Sequence, residues 1–205
     1  MRTIQQAKSE LLSLLLKKSL FFGDFTLSSG AKSSYYVDCK LTTLEPRGAW
    51  LVGEVMHHLI RAEAERQGVQ ISGVGGLTMG ADPVALATAM YSFSAKDASP
   101  LSAFIVRKTP KSHGQAKLVE GNFKRGDLVV VVDDVVTRGE STINAIQAVN
   151  QEGGKVAFVA VLIDREEGGC QKIEQMGYRV VSAFKRSDLM PQGAKSHHPE
   201  DCIAA

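Results

Sequence analysis

Leu128 to Thr142, LVVVVDDVVTRGEST, runs an apolar stretch straight into two adjacent acids, Asp133 and Asp134. A short turn rich in donors follows (Thr137, Arg138, Gly139, Ser141, Thr142), and then a helical pattern, INAIQAV. A continuous valine run bounded by polar residues reads as a strand, Leu128 to Val132, buried on both faces as in a parallel sheet. Ligands of such sheets sit beyond the carboxyl ends of the strands. Here that end offers carboxylates, which accept hydrogen bonds from sugar hydroxyls, and free amides at a helix start, which hold phosphate. A ribose 5-phosphate matches this pairing. A strand ending in Asp also occurs in ordinary βα units and in nucleotide hydrolases, but the chain has no GxxxxGK[ST] loop, the commonest form of the latter.

Outward from this stretch the pattern alternates. Strands are predicted at 71–76 (ISGVGG), 101–106 (LSAFIV), 155–164 (KVAFVAVLID) and 178–184 (YRVVSAF), and helices at 81–91, about 140–152 and 168–176. Alternation of this kind predicts an α/β fold with a doubly wound, mostly parallel central sheet flanked by helices. Pro46 opens a long helix through Gln67, with Gly68 as its stop. The first helix is predicted over 3–20 from Ile4, Ala7, Leu11, Leu14 and Leu15, followed by two short β pieces, Phe25–Leu27 and Tyr35–Asp38. One domain of 205 residues is expected, with an α/β core over about 46–185. Residues 1–45 and the C-terminal tail fall outside the alternation and are expected to form a small hood over the carboxyl edge of the sheet.

Composition narrows the classes. A net charge of +2 with 22% charged residues gives no global signal for nucleic acid. The apolar LLSLLLKKSLFF is interrupted by Lys17 and Lys18 and is too short to span a bilayer, so no membrane partner is expected. Three cysteines (Cys39, Cys170, Cys202), far apart and without CxxC, fit reduced thiols in a cytoplasmic protein. Neither His57–His58 nor His197–His198 has a ligand constellation, so no metal site from protein side chains is expected. RKTPKSHGQAKLVEGNFKR, 107–125, has almost no apolar periodicity and only one acid, Glu120. It reads either as a solvated basic loop or as a mobile cation set that closes on an anionic ligand.

Five pieces together resemble the orotate phosphoribosyltransferases, members of the type I phosphoribosyltransferase family. The Asp-pair stretch resembles their phosphoribosyl diphosphate (PRPP) loop. FTLSSGAKSSYYVD resembles the hood motif, GVGGLTMGADP the diphosphate-side loop, RKTPKSHG the catalytic flexible loop, and LIDREEGG the LxDRxExG element. The resemblance implies the type I fold and a pentosyl transfer from PRPP to orotate, giving orotidine 5′-monophosphate and diphosphate in de novo pyrimidine biosynthesis. It implies Mg²⁺, carried by substrate oxygens and water, and a homodimer whose loop 107–120 acts across the interface.

The resemblance also implies roles. Asp133, Asp134, Val135, Val136, Thr137, Arg138, Gly139, Glu140 and Ser141 cradle the ribose 5-phosphate. Arg107, Lys108, Lys111 and His113 engage the diphosphate, with Lys111, His113, Asp133 and Asp134 as the catalytic set. Thr137, Arg165, Tyr35 and Tyr36 contact orotate, Arg165 because a guanidinium can pair bidentately with a carboxylate. The chain departs from many relatives at Ser28 and at Met79–Gly80, where they carry cations, which leaves the diphosphate contacts at 79–80 to backbone N–H groups. Taken singly, Tyr35 and Tyr36 also read as half-buried strand aromatics, and Arg165 as a salt-bridge partner of Glu166 or Glu167. A transferase for another base, and a PRPP-binding regulator without catalysis, share the Asp-pair signature. An NAD-binding domain fits less well, since GVGGLTMG lacks GxGxxG with an acid about 20 residues on.

Overall fold

Why the valine run is buried on both faces is visible in the sheet that surrounds it. The structure, a computed structural model, describes residues 2–26, 32–109 and 117–190. In chain order the elements are α1 (Ile4–Lys18), β1 (Leu20–Thr26), β2 (Lys32–Val37), α2 (Lys40–Thr43), α3 (Pro46–Gln67), β3 (Gly73–Leu77), α4 (Ala81–Ser94) and β4 (Ser102–Val106). They continue with β5 (Val119–Gly121), β6 (Leu128–Val136), α5 (Glu140–Gln151), β7 (Lys155–Asp164), α6 (Gly169–Gln175), β8 (Val180–Lys185) and α7 (Arg186–Leu189). β1 and β2 form an antiparallel hairpin; the other strands form a sheet in the order β5-β4-β3-β6-β7-β8. Every pairing in that sheet is parallel except β4 with β5 at the edge. This is the mostly parallel α/β architecture expected of the sequence.

The faces follow strand periodicity. Val130 and Val132 of β6 join Phe158, Ala160 and Leu162 of β7 in a core shared with α1, α3 and α4. Val129 and Val131 point the other way, against Ile146, Val149 and Ile173 of α5 and α6. The chain leaves β3 for β4 on one side, then returns to lay β6 on the other side of β3. The order therefore reverses between β3 and β6, and the crevice beyond their carboxyl ends is where such sheets bind ligands.

α3 begins with Pro46 behind Glu45, whose carboxylate accepts the Gly48 N–H at 2.7 Å, and stops at Gly68 in the left-handed region, φ 66°. The boundaries of three other elements differ from the sequence reading. β6 does not end at Val132 but runs to Val136, with Asp133 paired to Val161 and Val135 to Ile163. The long apolar β7 supplies a ladder for the acids and overrides their weak strand preference. β1 begins at Leu20, not Phe25, because Leu20, Phe21 and Phe22 pair with Val37, Tyr36 and Tyr35. The basic segment is not structureless throughout: Val119–Gly121 adds a short edge strand, with Val119 buried.

Phe158 is fully buried at the centre of the sheet. Phe158→Ala should lower unfolding free energy by about 3–5 kcal/mol through lost transfer energy and an unfilled cavity. Urea titration checks this by a lower midpoint at unchanged slope.

Candidate active site

The carboxyl end of β6 places its two acids differently. Asp133 is 5% exposed and faces α5, where its Oδ2 accepts the Thr142 hydroxyl at 2.7 Å and its Oδ1 accepts the Asp134 N–H at 3.1 Å. Asp134 lies on the other side of the strand and accepts the Val135 N–H at 2.9 Å. A Cβ built on Gly80 would stand 2.3 Å from the Asp134 carboxylate, so only glycine lets the loop before α4 lie against the acid. Burial pushes the Asp133 carboxyl well above the usual carboxylate range, and the Asp134 charge adds to the shift. Burial raises Asp134 as well, opposed by the Val135 N–H and by the Lys40 charge.

Beyond the acids the chain turns through Thr137 and Arg138 to Gly139, left-handed at φ 79°, and enters α5. No side chain caps that helix start, so its first amides open outward with the macrodipole behind them. The turn is tied to the loop after β7: Arg165 N–H donates to the Val136 carbonyl at 3.0 Å and Gly169 N–H to the Thr137 carbonyl at 2.9 Å.

Arg165 is 4% exposed although it follows the last residue of β7. Its Nε donates to the Tyr35 hydroxyl at 3.0 Å, and its guanidinium carbon lies 4.4 Å from the Tyr35 ring centre. Its Nη2 reaches Ser33 Oγ at 3.5 Å and forms an ion pair with Glu167 at 2.8 Å. The hairpin is thereby fastened to the loop after β7 by a stacked, hydrogen-bonded cation.

These pieces surround one cleft of about 750 Å³ lined by Tyr36, Val37, Asp133, Val135, Val136, Thr137, Arg138, Gly139, Glu140, Ser141, Thr142, Arg165 and Glu167. A second cleft of about 470 Å³ adjoins it through Glu140 and Ser141, and there Arg107 and Lys108 face the polar side of α5 at Asn144 and Gln147. Of the residues singled out from the sequence, Asp133, Val135 to Ser141, Tyr36 and Arg165 share the first cleft, and Arg107 and Lys108 line the second. Asp134 lies behind the first cleft, against Gly80. Tyr35 is 7% exposed and holds Arg165 from beneath. Lys111 and His113 lie outside the described residues, as does Ser28.

Sequence reasoning missed Val37, Thr142 as the support of Asp133, and Glu167 as a cleft residue. Thr142 stands at the third position of α5, and its contact with Asp133 has no sequence signature. Glu167 was visible only as a charge neighbouring Arg165. Among the described residues no cluster of three or more His, Cys, Asp or Glu side chains is set to hold a metal, and no helix there is long and apolar enough to cross a membrane.

No family model matches the chain. It is 42% identical over 186 residues to the orotate phosphoribosyltransferase of Tropheryma whipplei (strain Twist), an alignment covering 91% of this chain and 84% of that protein. The Aquifex aeolicus (strain VF5) orotate phosphoribosyltransferase is 41% identical, covering 89% and 97%. The crystal structure of the Mycobacterium tuberculosis H37Rv orotate phosphoribosyltransferase in complex with PRPP superposes with a TM-score of 0.71 at 38% identity, covering 89% of this chain and 98% of that one. Relatives at this identity, matched along nearly their whole length, show the family: this chain belongs to the orotate phosphoribosyltransferases.

Proposed function

We propose that the joined clefts carry the transfer of a 5-phosphoribosyl group from PRPP to orotate, with the roles divided among the residues as follows. The ribose 5-phosphate lies at the first cleft, its phosphate on the Thr137–Ser141 amides and hydroxyls at the start of α5. Its ribose hydroxyls donate to the Asp133 and Asp134 carboxylates. Arg107 and Lys108 face the diphosphate from the second cleft, and Lys111 and His113 are assigned to the same group by the family resemblance. Orotate lies by Arg165, Thr137 and Tyr36, with its carboxylate on the guanidinium and Tyr35 supporting that cation. The observation that carries this reading is a buried, fixed cation and the buried Asp133 carboxyl facing one cleft beside a helix start without a side-chain cap, with Asp134 on the other side of the strand. A buried guanidinium asks for an anionic base, which favours orotate over neutral bases.

Bond breaking at the anomeric carbon puts positive charge on the ribose ring and more negative charge on the departing diphosphate. Preorganised charge and positioning therefore carry the catalysis. The residues present fit Mg²⁺ bound mainly through substrate oxygens and water, since the Asp133 and Asp134 oxygens already accept hydrogen bonds from Thr142 and backbone amides. Mg²⁺ carried in on the substrate would supply neutralisation of the diphosphate charge, and Asp133 and Asp134 would meet it at most through water.

A homodimer is part of this reading. α4 exposes Leu86, Met90 and Phe93 at 56%, 62% and 76%, a helical stripe of large apolar side chains beside the loop that carries Gly80. A second copy seated there would cover this stripe, and the family resemblance assigns loop 107–120 to act across such an interface. The thiols of Cys39 and Cys170 are free and buried, in keeping with a reducing, cytoplasmic setting.

Purified protein mixed with Mg²⁺, PRPP and orotate should release diphosphate, whereas uracil, adenine or hypoxanthine in place of orotate should not; release with a purine alone would overturn the assignment. A lysine within ~4 Å of developing charge is worth about 4 kcal/mol at an effective dielectric near 20. Lys111→Ala should accordingly lower kcat by about two to three orders of magnitude in the same assay.

The raised pKa of Asp133 makes a separate prediction. An acid raised on folding adds stability that is full below the ordinary carboxylate range and is lost as pH climbs through its folded value. Asp133→Asn removes that loss. In the free protein, the variant's Tm minus the wild-type Tm should increase from about pH 5 to about pH 8, by about 2–4 °C for each kcal/mol of that loss, while calorimetry with Mg²⁺ shows weakened PRPP binding. A Tm difference independent of pH would remove the electrostatic account. Phe93→Glu should convert a dimer into monomer in sedimentation, as a charge placed in an apolar interface has no partner there.

A further inference from the structure

Arg165 presents its donors unevenly. The Nε edge is taken by the Tyr35 hydroxyl at 3.0 Å, and the Tyr35 ring covers one face of the guanidinium. Nη2 is held by Glu167, at 2.8 Å, and by the more distant Ser33. A carboxylate that pairs bidentately must use either the Nε–Nη2 edge or the Nη1–Nη2 end. Tyr35 closes the first. The second needs Nη2, which Glu167 occupies. Glu167 also lines the cleft, and its side chain is 34% exposed against 5% for Arg165. One partner of the pair is therefore fixed within the protein, and the other is a water-facing side chain able to swing away.

We propose that Glu167 is a specificity-determining placeholder. It neutralises Arg165 in the free enzyme and yields its place on Nη2 to the carboxylate of the incoming base. The exchange swaps one carboxylate for another on a buried cation, so an anionic base leaves the charge balance of the site intact. A neutral base offers Arg165 no replacement, and the Glu167 carboxylate then stays in the cleft. Keeping a counter-ion on the guanidinium also avoids an unpaired buried charge when the cleft is empty. This rests on the assignment of orotate to Arg165, and the variants separate the two.

Glu167→Gln removes the competing charge at nearly constant shape. Its KM for orotate at saturating PRPP should fall about fivefold, the worth of one partly exposed ion pair that no longer has to be broken. Glu167→Asp, which restores the charge, should return KM toward the wild-type value. Because Arg165 then lacks its counter-ion, Glu167→Gln should also melt lower than wild type when free and gain more in Tm from added orotate and PRPP. An unchanged or raised KM in Glu167→Gln, with Arg165→Ala still losing orotate binding, would make Glu167 a mere support of Arg165 and overturn the proposal. Arg165→Ala with wild-type KM for orotate would instead overturn the assignment of the base site.

Discussion

Two neighbouring carboxylates held out of water at the reversal point of the sheet are the constraint around which this molecule is arranged. Each would lower its free energy by meeting solvent or a cation. Instead, they are fixed in a ladder by the apolar length of β7, and their oxygens accept backbone N–H groups and the Thr142 hydroxyl. Gly80 lies against Asp134 where no side chain could fit. While the site is empty, burial and the Asp134 charge hold the Asp133 carboxyl well above the usual carboxylate range, so the acid resists ionisation. In the proposed function, hydroxyl donors and a substrate-borne cation would relieve that condition and favour the charged form.

The second tie runs between regions far apart in sequence. Tyr35 of the hairpin and Arg165 after β7 are separated by 130 positions, yet they share a hydrogen bond and a stacked contact. The hairpin therefore cannot shift without moving the cation that faces the cleft. Backbone bonds from Arg165 and Gly169 to the turn before α5 extend the same coupling to the start of that helix. The hairpin side and the helix-start side of the cleft are thus referenced to one short loop, Arg165 to Gly169, which explains why a glycine follows the acids there: a Cβ on Gly169 would stand 2.4 Å from the Thr137 carbonyl.

The core of this arrangement was legible in the sequence because it depends on local pattern. Alternating buried strands, Pro46 and Gly68 at the ends of α3, and the acid pair before a donor-rich turn all state their structure within a few residues. The errors came where long-range partners decide. β6 continues through its acids only because β7 pairs with them, and β1 starts at Leu20 only because Tyr35 to Val37 lie opposite. Likewise Arg165 could not be told from a surface residue by its acidic neighbours, since its burial comes from Tyr35 and the hairpin. The functions of Thr142 and Glu167 rest on side-chain contacts that a linear pattern does not encode.

The placing of cations follows from the charges of the reactants themselves. In this reaction the attacking base and the departing group are both anions, and both must approach one anomeric carbon. A single cationic pocket would draw them together and block the exchange. This fold keeps its cations in two places: Arg165 in the cleft bounded by the hairpin, Arg107 and Lys108 in the cleft on the far side of the α5 start, with Glu140 and Ser141 common to both. In the proposed arrangement a ribose between them, bonded by Asp133 and Asp134, would have an anion-attracting wall on each side, and its positive charge in the transition state would meet the acids. The parallel sheet makes this possible because β4, β6 and β7 all deliver their carboxyl ends to one edge, so that three loops with different charges meet around a single bond.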